Sequence, residues 1–193
     1  NYEPALSRSL FLYRTKYWYA QLPFDKKFIP DELPEKDLEK GKLTSWGIQE
    51  EVSIEKSLDW LSNRTEENPF FMQLLTCSGH HPYNVPSGID MSFGGDSDIN
   101  LYRNTLHYVD QNIGKLFRYL SENGLLNNTI IAISGDHGEA FGRFHSTNFI
   151  HREHIYEENM RNFLLLYDFQ KPLGKWVSKK QGFLGDIMPT LLS

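Results

Sequence analysis

In "SGDHGE", residues 134–139, an aspartate, a histidine, a glycine and a glutamate directly follow the apolar run "TIIAI". A carboxylate oxygen beside an imidazole nitrogen suits zinc or manganese, whereas carboxylate alone suits calcium or magnesium. Gly138 would let the backbone turn sharply, so that Asp136 and His137 face one point. A second reading of the same residues is structural: Asp136 caps a following helix and His137 is solvated. Glu139 reads as an acid that supports the ligands or starts a helix, rather than as a ligand.

Other residues extend the chemistry. His151, in "NFIHREHIYEEN", lies on a loop before a returning strand, where an imidazole could contact an anion or protonate a leaving group. Arg143, Arg152 and Arg161 offer positive charge to an oxyanion, although lone arginines more often sit on a solvated face. His145 and His154 carry weaker signals. His80 and His81 stand in "CSGHHPYNVP", just past a second apolar run, and Pro82 stiffens the exit. Trp46, in "TSWGIQEE", could wall a pocket, although an aromatic beside glycine is more often simple packing. The only cysteine, Cys77, reads as a packed small hydrophobe.

These residues need elements to carry them. Residues 51–63 suit an amphipathic helix with Ile54, Leu58 and Leu61 on one face. "PFFMQLLTC" (69–77) has the length of a buried strand, and the Gly, Ser, Pro and Asp of 78–97 predict a long loop. A long helix is expected from about Ile99 to Asn123. Its apolar stripe is Leu106, Val109, Ile113, Leu116, Phe117 and Leu120, and Gly124 stops it. "TIIAIS" (129–134) and "NFLLLY" (162–167) read as buried strands, and "GDIMPTLLS" reads as a helix start. The order gives α/β with a mostly parallel sheet buried between helices, a three-layer sandwich. Ligands in such sheets sit at the carboxyl ends of strands, which is where His80 and Asp136 fall. Both strand ends are expected to open on the same side. Residues 1–193 read as a single domain, with 1–45 an irregular lead-in.

The bulk properties exclude several classes. With 193 residues, 39% hydrophobic and 23% charged, the chain is globular. A formal net charge of −5 argues against duplex nucleic acid as partner. One cysteine excludes an internal disulfide. No apolar run reaches the roughly 20 residues of a membrane span, and no signal peptide is visible.

The segment "NTIIAISGDHGEAFGRFHSTNFIHREHIYEENMRNFLLLY" resembles the sulfatase branch of the alkaline phosphatase superfamily. "LHYVDQNIGKLFRYLSENGLLNNT" is similar to the helix preceding that motif. "HHPY" resembles the family's His-x-Pro-aromatic element, with His80 in the histidine place, and "GDIMPTLL" resembles a helix start near the end of the catalytic core. "SWG" is similar to the lipoteichoic acid synthase and phosphoglycerol transferase branch. The resemblance covers roughly residues 46–193. It implies an alkaline phosphatase-like fold, incomplete here at its N-terminus, and a metal-assisted esterase or transferase.

Under the resemblance, Asp136 and His137 would bind one divalent metal, whether manganese, calcium, zinc or magnesium. His80 and His151 would be catalytic, contacting the sulfate or phosphate and assisting the leaving group, with Trp46 and Arg152 as substrate contacts. The family's nucleophile and an acidic metal ligand lie near its N-terminus, and neither is present in this sequence. The lysine that many sulfatases place before the "YE" element is also absent; the region reads "HREHIYEE". The expectation is therefore part of a sulfatase-like hydrolase acting on sulfate or phosphate esters. The alternatives are a phosphoglycerol or phosphoethanolamine transferase of envelope polymer synthesis, and a non-catalytic anion-binding remnant. As an isolated fragment the chain is expected to be inactive, with its metal site empty or weak. The expected partner is an anionic ester, a sulfated glycan or a phospholipid head group. The parent would work in the periplasm or at the outer face of the cytoplasmic membrane, with any membrane tether outside this chain.

Overall fold

The structure, a computed structural model, describes residues 3–8, 21, 23–28, 43–44, 47–64, 69–170, 177–178 and 180–193. They fall into two compact units, residues 1–119 and 120–193.

In the first unit, β1 (Glu3–Arg8), β2 (Lys26–Phe28) and a later strand form a parallel three-stranded sheet. A short antiparallel pair, β3 (Leu43–Thr44) and β4 (Gly47–Ile48), leads into α1 (Glu50–Ser62). The third strand of the sheet is β5 (Phe70–Leu75), paired with β1 in register from Glu3 opposite Phe70 to Arg8 opposite Leu75. The strand order is β2-β1-β5. Part of the supposedly irregular lead-in thus supplies the central strand. "EPALSR" hides this, because a proline and two charges interrupt any apolar alternation.

Helix α1 begins with two acids, Glu50 and Glu51, where the helix dipole favours negative charge. Its buried residues include Val52, Ile54, Ser57, Trp60 and Leu61. Ile54 and Leu61 thus occupy the expected face, while Leu58 is half-buried. Trp60 meets Phe70 edge to face at 5.7 Å, which packs α1 onto β5. The Arg64 guanidinium lies 4.7 Å from the Phe70 ring centroid and so covers the same contact.

Residues 76–97 carry no regular structure, as the composition predicts. The long helix follows as α2 (Asp98–Glu122). Gly124 ends it in the left-handed conformation, φ +70°, which only glycine adopts without penalty. The buried line of α2 differs from the expected stripe: Asn104, Thr105, Tyr108, Asn112 and Leu120 are buried, while Leu106 is exposed. Asn104 goes inside because the Phe93 backbone satisfies both ends of its amide. Asn104 Oδ1 accepts the Phe93 N–H at 3.0 Å, and its Nδ2 donates to the Phe93 carbonyl at 2.8 Å. Asn112 Nδ2 donates to the Tyr108 carbonyl at 2.9 Å. Two such bonds make a buried amide tolerable, so one residue of α2 clasps the long loop.

In the second unit, β6 (Ile130–Ser134) and β7 (Leu164–Asp168) pair antiparallel, with Ile130 opposite Asp168 and Ser134 opposite Leu164. These are the expected strands, but they are not buried on both faces as expected. Ile130 is 54% exposed and Leu165 46%. The apolar runs read as interior strands, yet among the described residues the sheet that holds them has only two strands. Between them lies α3 (Glu157–Met160), and α4 (Ile187–Leu191) closes the chain. At the start of α4, Asp186 Oδ2 accepts the Phe183 N–H at 2.9 Å, consistent with the helix start read from "GDIMPTLL". Among the described residues no helix is long and apolar enough to cross a membrane.

Candidate functional site

The loop after β6 builds the first cluster. Asp136 Oδ1 accepts the His137 N–H at 3.0 Å, and no helix follows, so Asp136 is not a helix cap. His137 Nδ1 lies 2.7 Å from the Gly138 carbonyl. A carbonyl only accepts, so Nδ1 carries the proton and the neutral ring has its lone pair on Nε2. That nitrogen stands 3.6 Å from Asp136 Oδ2. Two ligand atoms of a tetrahedral ion with bonds of about 2.0–2.2 Å stand about 3.4 Å apart. The pair therefore fits two positions of a divalent site, with the Nδ1–H to carbonyl bond that orients ligating histidines. Among the described residues no group of three or more His, Cys, Asp and Glu side chains converges as a ligand set.

Gly138 serves a different purpose from the expected turn. Its φ is not left-handed; instead a neighbouring segment crosses against it. A Cβ there would meet the Glu158 carbonyl at 2.1 Å and the Arg161 carbonyl at 2.8 Å. The Gly138 N–H donates to the Asn159 carbonyl at 2.8 Å. Glycine is required for this close approach, which holds the Asp136–His137 loop against α3.

His151 is brought to this loop. Its ring stacks on His137 with centroids 3.9 Å apart and planes at 26°. Its Nδ1 faces both carboxylate oxygens of Glu139, at 3.3 and 3.2 Å. Glu139, only 11% exposed, also accepts the Ala140 N–H at 2.9 Å. The acid read as a supporting group thus orients the candidate catalytic histidine. Arg152, the next residue, is exposed. Arg143 is exposed as well, and Arg161 pairs with Glu157 at 3.6 Å.

A network on the other side of the loop holds it in shape. Asn148 and Asn159, both buried, exchange amide hydrogen bonds at 2.9 and 3.1 Å. Asn148 Nδ2 also donates to Glu158 Oε1 at 2.9 Å, and His145 Nδ1 reaches the same oxygen at 2.7 Å. The His145 ring lies flat on Tyr156, 3.8 Å away. Desolvation pushes the Glu158 carboxyl upward, but the bonds from Asn148, His145 and its own backbone outweigh this and hold it below the usual carboxylate range. His145 and His154 are therefore placed in scaffolding: Asn159 Nδ2 donates to the His154 carbonyl at 2.7 Å.

His80 belongs to the first unit, at the exit of β5. Its N–H donates to the Cys77 carbonyl at 3.0 Å, and its Nδ1 lies 2.8 Å from the His81 carbonyl. Cys77 is buried, as expected. Trp46 lies outside the described residues. Sequence reasoning missed Glu50, a buried carboxylate whose oxygens accept from Cys77 and Ser78. In "QEE" it reads as an ordinary helix-start acid, and no signal in the sequence marks its burial. Asn148 and Asn159 were missed as well; "YEEN" flagged only the neighbourhood.

The sequence model of the sulfatase family matches residues 8–193. The chain belongs to the sulfatase family. The match begins well before the motif-bearing region from residue 46 and takes in β2 of the parallel sheet. Lipoteichoic acid synthase 1 of Bacillus subtilis is 26% identical over 184 residues, covering 90% of this chain and 27% of the relative. Two solved structures share its fold. The lipoteichoic acid synthase LtaP of Listeria monocytogenes superposes with a TM-score of 0.69 at 18% identity, over 88% of this chain and 44% of that one. A protein of the alkaline phosphatase superfamily from Vibrio parahaemolyticus superposes with a TM-score of 0.64 at 18% identity, over 88% and 39%. The fold is accordingly alkaline phosphatase-like, and the chain spans about a quarter of the length of the Bacillus synthase.

Proposed function

We propose that this chain is the C-terminal portion of a catalytic domain that transfers a phosphoglycerol-type head group onto an envelope polymer. One observation carries the chemistry. Asp136 and His137 present a carboxylate oxygen and an imidazole nitrogen 3.6 Å apart, with His151 stacked alongside and buttressed by Glu139. The transferase reading is preferred to sulfate ester hydrolysis because the relatives matched at the sequence level are named as lipoteichoic acid synthases, and because the lysine common before "YE" in sulfatases is absent.

Asp136 and His137 would hold a divalent ion together with ligands from a preceding segment; when bound, it neutralises charge on the transferred group. The chain's own residues do the rest. The Gly138 carbonyl keeps the His137 proton on Nδ1, so Nε2 is the donor. Glu139 holds one proton of His151 on Nδ1, so that the Nε2 lone pair takes a second proton from an attacking oxygen and returns it to a leaving one. His80, whose Nδ1 is likewise committed to a carbonyl, contacts the anionic group through its other nitrogen, and Arg152 and Trp46 complete the binding. The nucleophile comes from outside this chain, which alone is inactive. The working location is the outer face of the cytoplasmic membrane, where a phospholipid donor is at hand.

The test uses the natural polypeptide that carries this chain. It is given phospholipid labelled in the head group, and p-nitrophenyl sulfate and phosphate, with added manganese, calcium, zinc or magnesium. Head-group transfer that exceeds sulfate hydrolysis and is lost in Asp136→Ala supports the reading. Sulfate release without transfer reverses the order of the two activities. Binding of an anionic glycan with no turnover replaces both with the non-catalytic reading.

A further inference from the structure

We propose that Glu50 is a positioning residue that fixes the place of His80, an inference that rests on the reading of His80 as a contact to the transferred group. His80 lies within a stretch with no regular structure, residues 76–97, so hydrogen bonds and packing, not an element, must hold it. The upstream hold is Glu50. Its Oε1 accepts the N–H groups of Cys77 and Ser78 at 2.7 and 2.9 Å, and its Oε2 accepts the Ser78 hydroxyl. Glu50 is 3% exposed and Ser78 2%. A buried carboxylate is costly unless donors surround it. Here three donors from two consecutive residues, together with the first turn of α1, make the site a fitted anion seat that the chain itself fills.

From that seat consecutive turns carry the loop to His80. The His80 N–H closes a turn onto the Cys77 carbonyl at 3.0 Å, and the Tyr83 N–H closes the next onto the His80 carbonyl at 2.9 Å. Tyr83 is buried and meets Tyr102 of α2 edge to face at 5.5 Å, which forms the downstream hold. His80 is suspended between a carboxylate anchor and an aromatic anchor. Removing the first leaves two buried N–H groups and a hydroxyl without an acceptor, and the loop shifts to find water.

The experiment is a double-mutant cycle in the natural polypeptide, read by head-group transfer and by the NMR resonance of the His80 ring. Glu50→Ala should lower kcat by about 10- to 100-fold, the cost of displacing a group by about an ångström, with KM moving less. In a His80→Ala background it should add no more than about twofold. Glu50→Gln should retain activity, because its amide oxygen accepts both N–H groups and its amide nitrogen donates to the Ser78 hydroxyl. The His80 resonance should shift or broaden in Glu50→Ala and stay in place in Glu50→Gln. Equal losses in both backgrounds, or no loss where His80→Ala has one, overturn the proposal. If His80→Ala is itself without effect, the reading of His80 fails, and the resonance alone decides whether Glu50 positions the ring. If Glu50→Ala does not fold, Ser78→Ala removes only the hydroxyl bond and should still broaden the His80 resonance; an unchanged resonance overturns the proposal.

Discussion

The imidazole of His151 lies on the imidazole of His137, centroids 3.9 Å apart, and the two rings have different hydrogen-bond partners. His137 gives its Nδ1 proton to a backbone carbonyl, while the Nδ1 of His151 faces a carboxylate. Replacing His151 by alanine should therefore slow turnover by about 10²–10⁴-fold while the divalent ion stays bound. Glu139→Gln should slow it less, because the amide oxygen can still accept from Nδ1. Steady-state kinetics alongside metal analysis checks both. Equal losses of metal in the His151 variant would merge the two roles.

Gly138 tolerates no side chain. In Gly138→Ala a methyl would sit 2.1 Å from the Glu158 carbonyl, and backbone cannot swing aside as a side chain can. A cost of about 1–3 kcal/mol is expected, with loss of activity from displacement of the Asp136–His137 loop. Thermal unfolding and hydrogen exchange over residues 136–161 should report it. An alanine variant with wild-type exchange would mean that the close approach is not present in solution.

The depressed Glu158 carboxyl makes a pH prediction. Its folded pKa lies below its unfolded value, so its stabilising contribution is complete above the ordinary carboxylate range and is lost as pH falls through the folded pKa. Acid should therefore loosen the loop of His145 and Asn148, and Glu158→Gln should flatten that part of the stability profile. Asn148→Ala, which strips a buried amide of its partner, should cost about 1–3 kcal/mol at neutral pH. Chemical denaturation at a series of pH values tests both.

Tyr108 makes the opposite case at high pH. Burial, opposed by the Glu51 N–H that donates to its hydroxyl at 3.1 Å, pushes its phenol up from 10.0 to about 12. The folded state keeps the proton longer than the unfolded one. Stability is complete below pH 10.0 and declines as the pH rises toward about 12. In an absorbance titration Tyr108 should ionise late, and Tyr108→Phe should remove that late component. A titration identical in the variant would contradict the burial of this phenol.

What the sequence made legible follows a physical divide. Periodicity finds elements whose own residues supply the driving force, and it found α1, α2, β5, β6 and β7. It cannot find β1, which is a strand because two neighbours offer ladder hydrogen bonds, not because "EPALSR" favours extension. It also left out the polar buried line of α2, since Asn104 is buried only by virtue of the Phe93 backbone 11 residues away, while of the expected stripe Leu120 is buried and Leu106 exposed. At the site, residue type identified Asp136, His137, His151 and His80 as candidates. The Glu139 buttress and the Glu50 anchor depend on partners 12 and 27 residues away, and spacing carries no trace of them; the His137 tautomer is set by the next carbonyl, a matter of backbone geometry that residue type does not show. The purpose of Gly138 was likewise invisible, because its reason is another strand of chain passing 20 residues later.

On the reading proposed above, Asp136 and His137 form half of a metal site that the chemistry needs. The most direct measurement is the divalent metal content of the natural polypeptide, purified as wild type, Asp136→Ala, His137→Ala and His151→Ala, with head-group transfer followed on the same samples. One ion per chain is expected in wild type and in His151→Ala. Loss of both ion and turnover is expected in Asp136→Ala and His137→Ala. Unchanged metal content and turnover in Asp136→Ala and His137→Ala would contradict that reading.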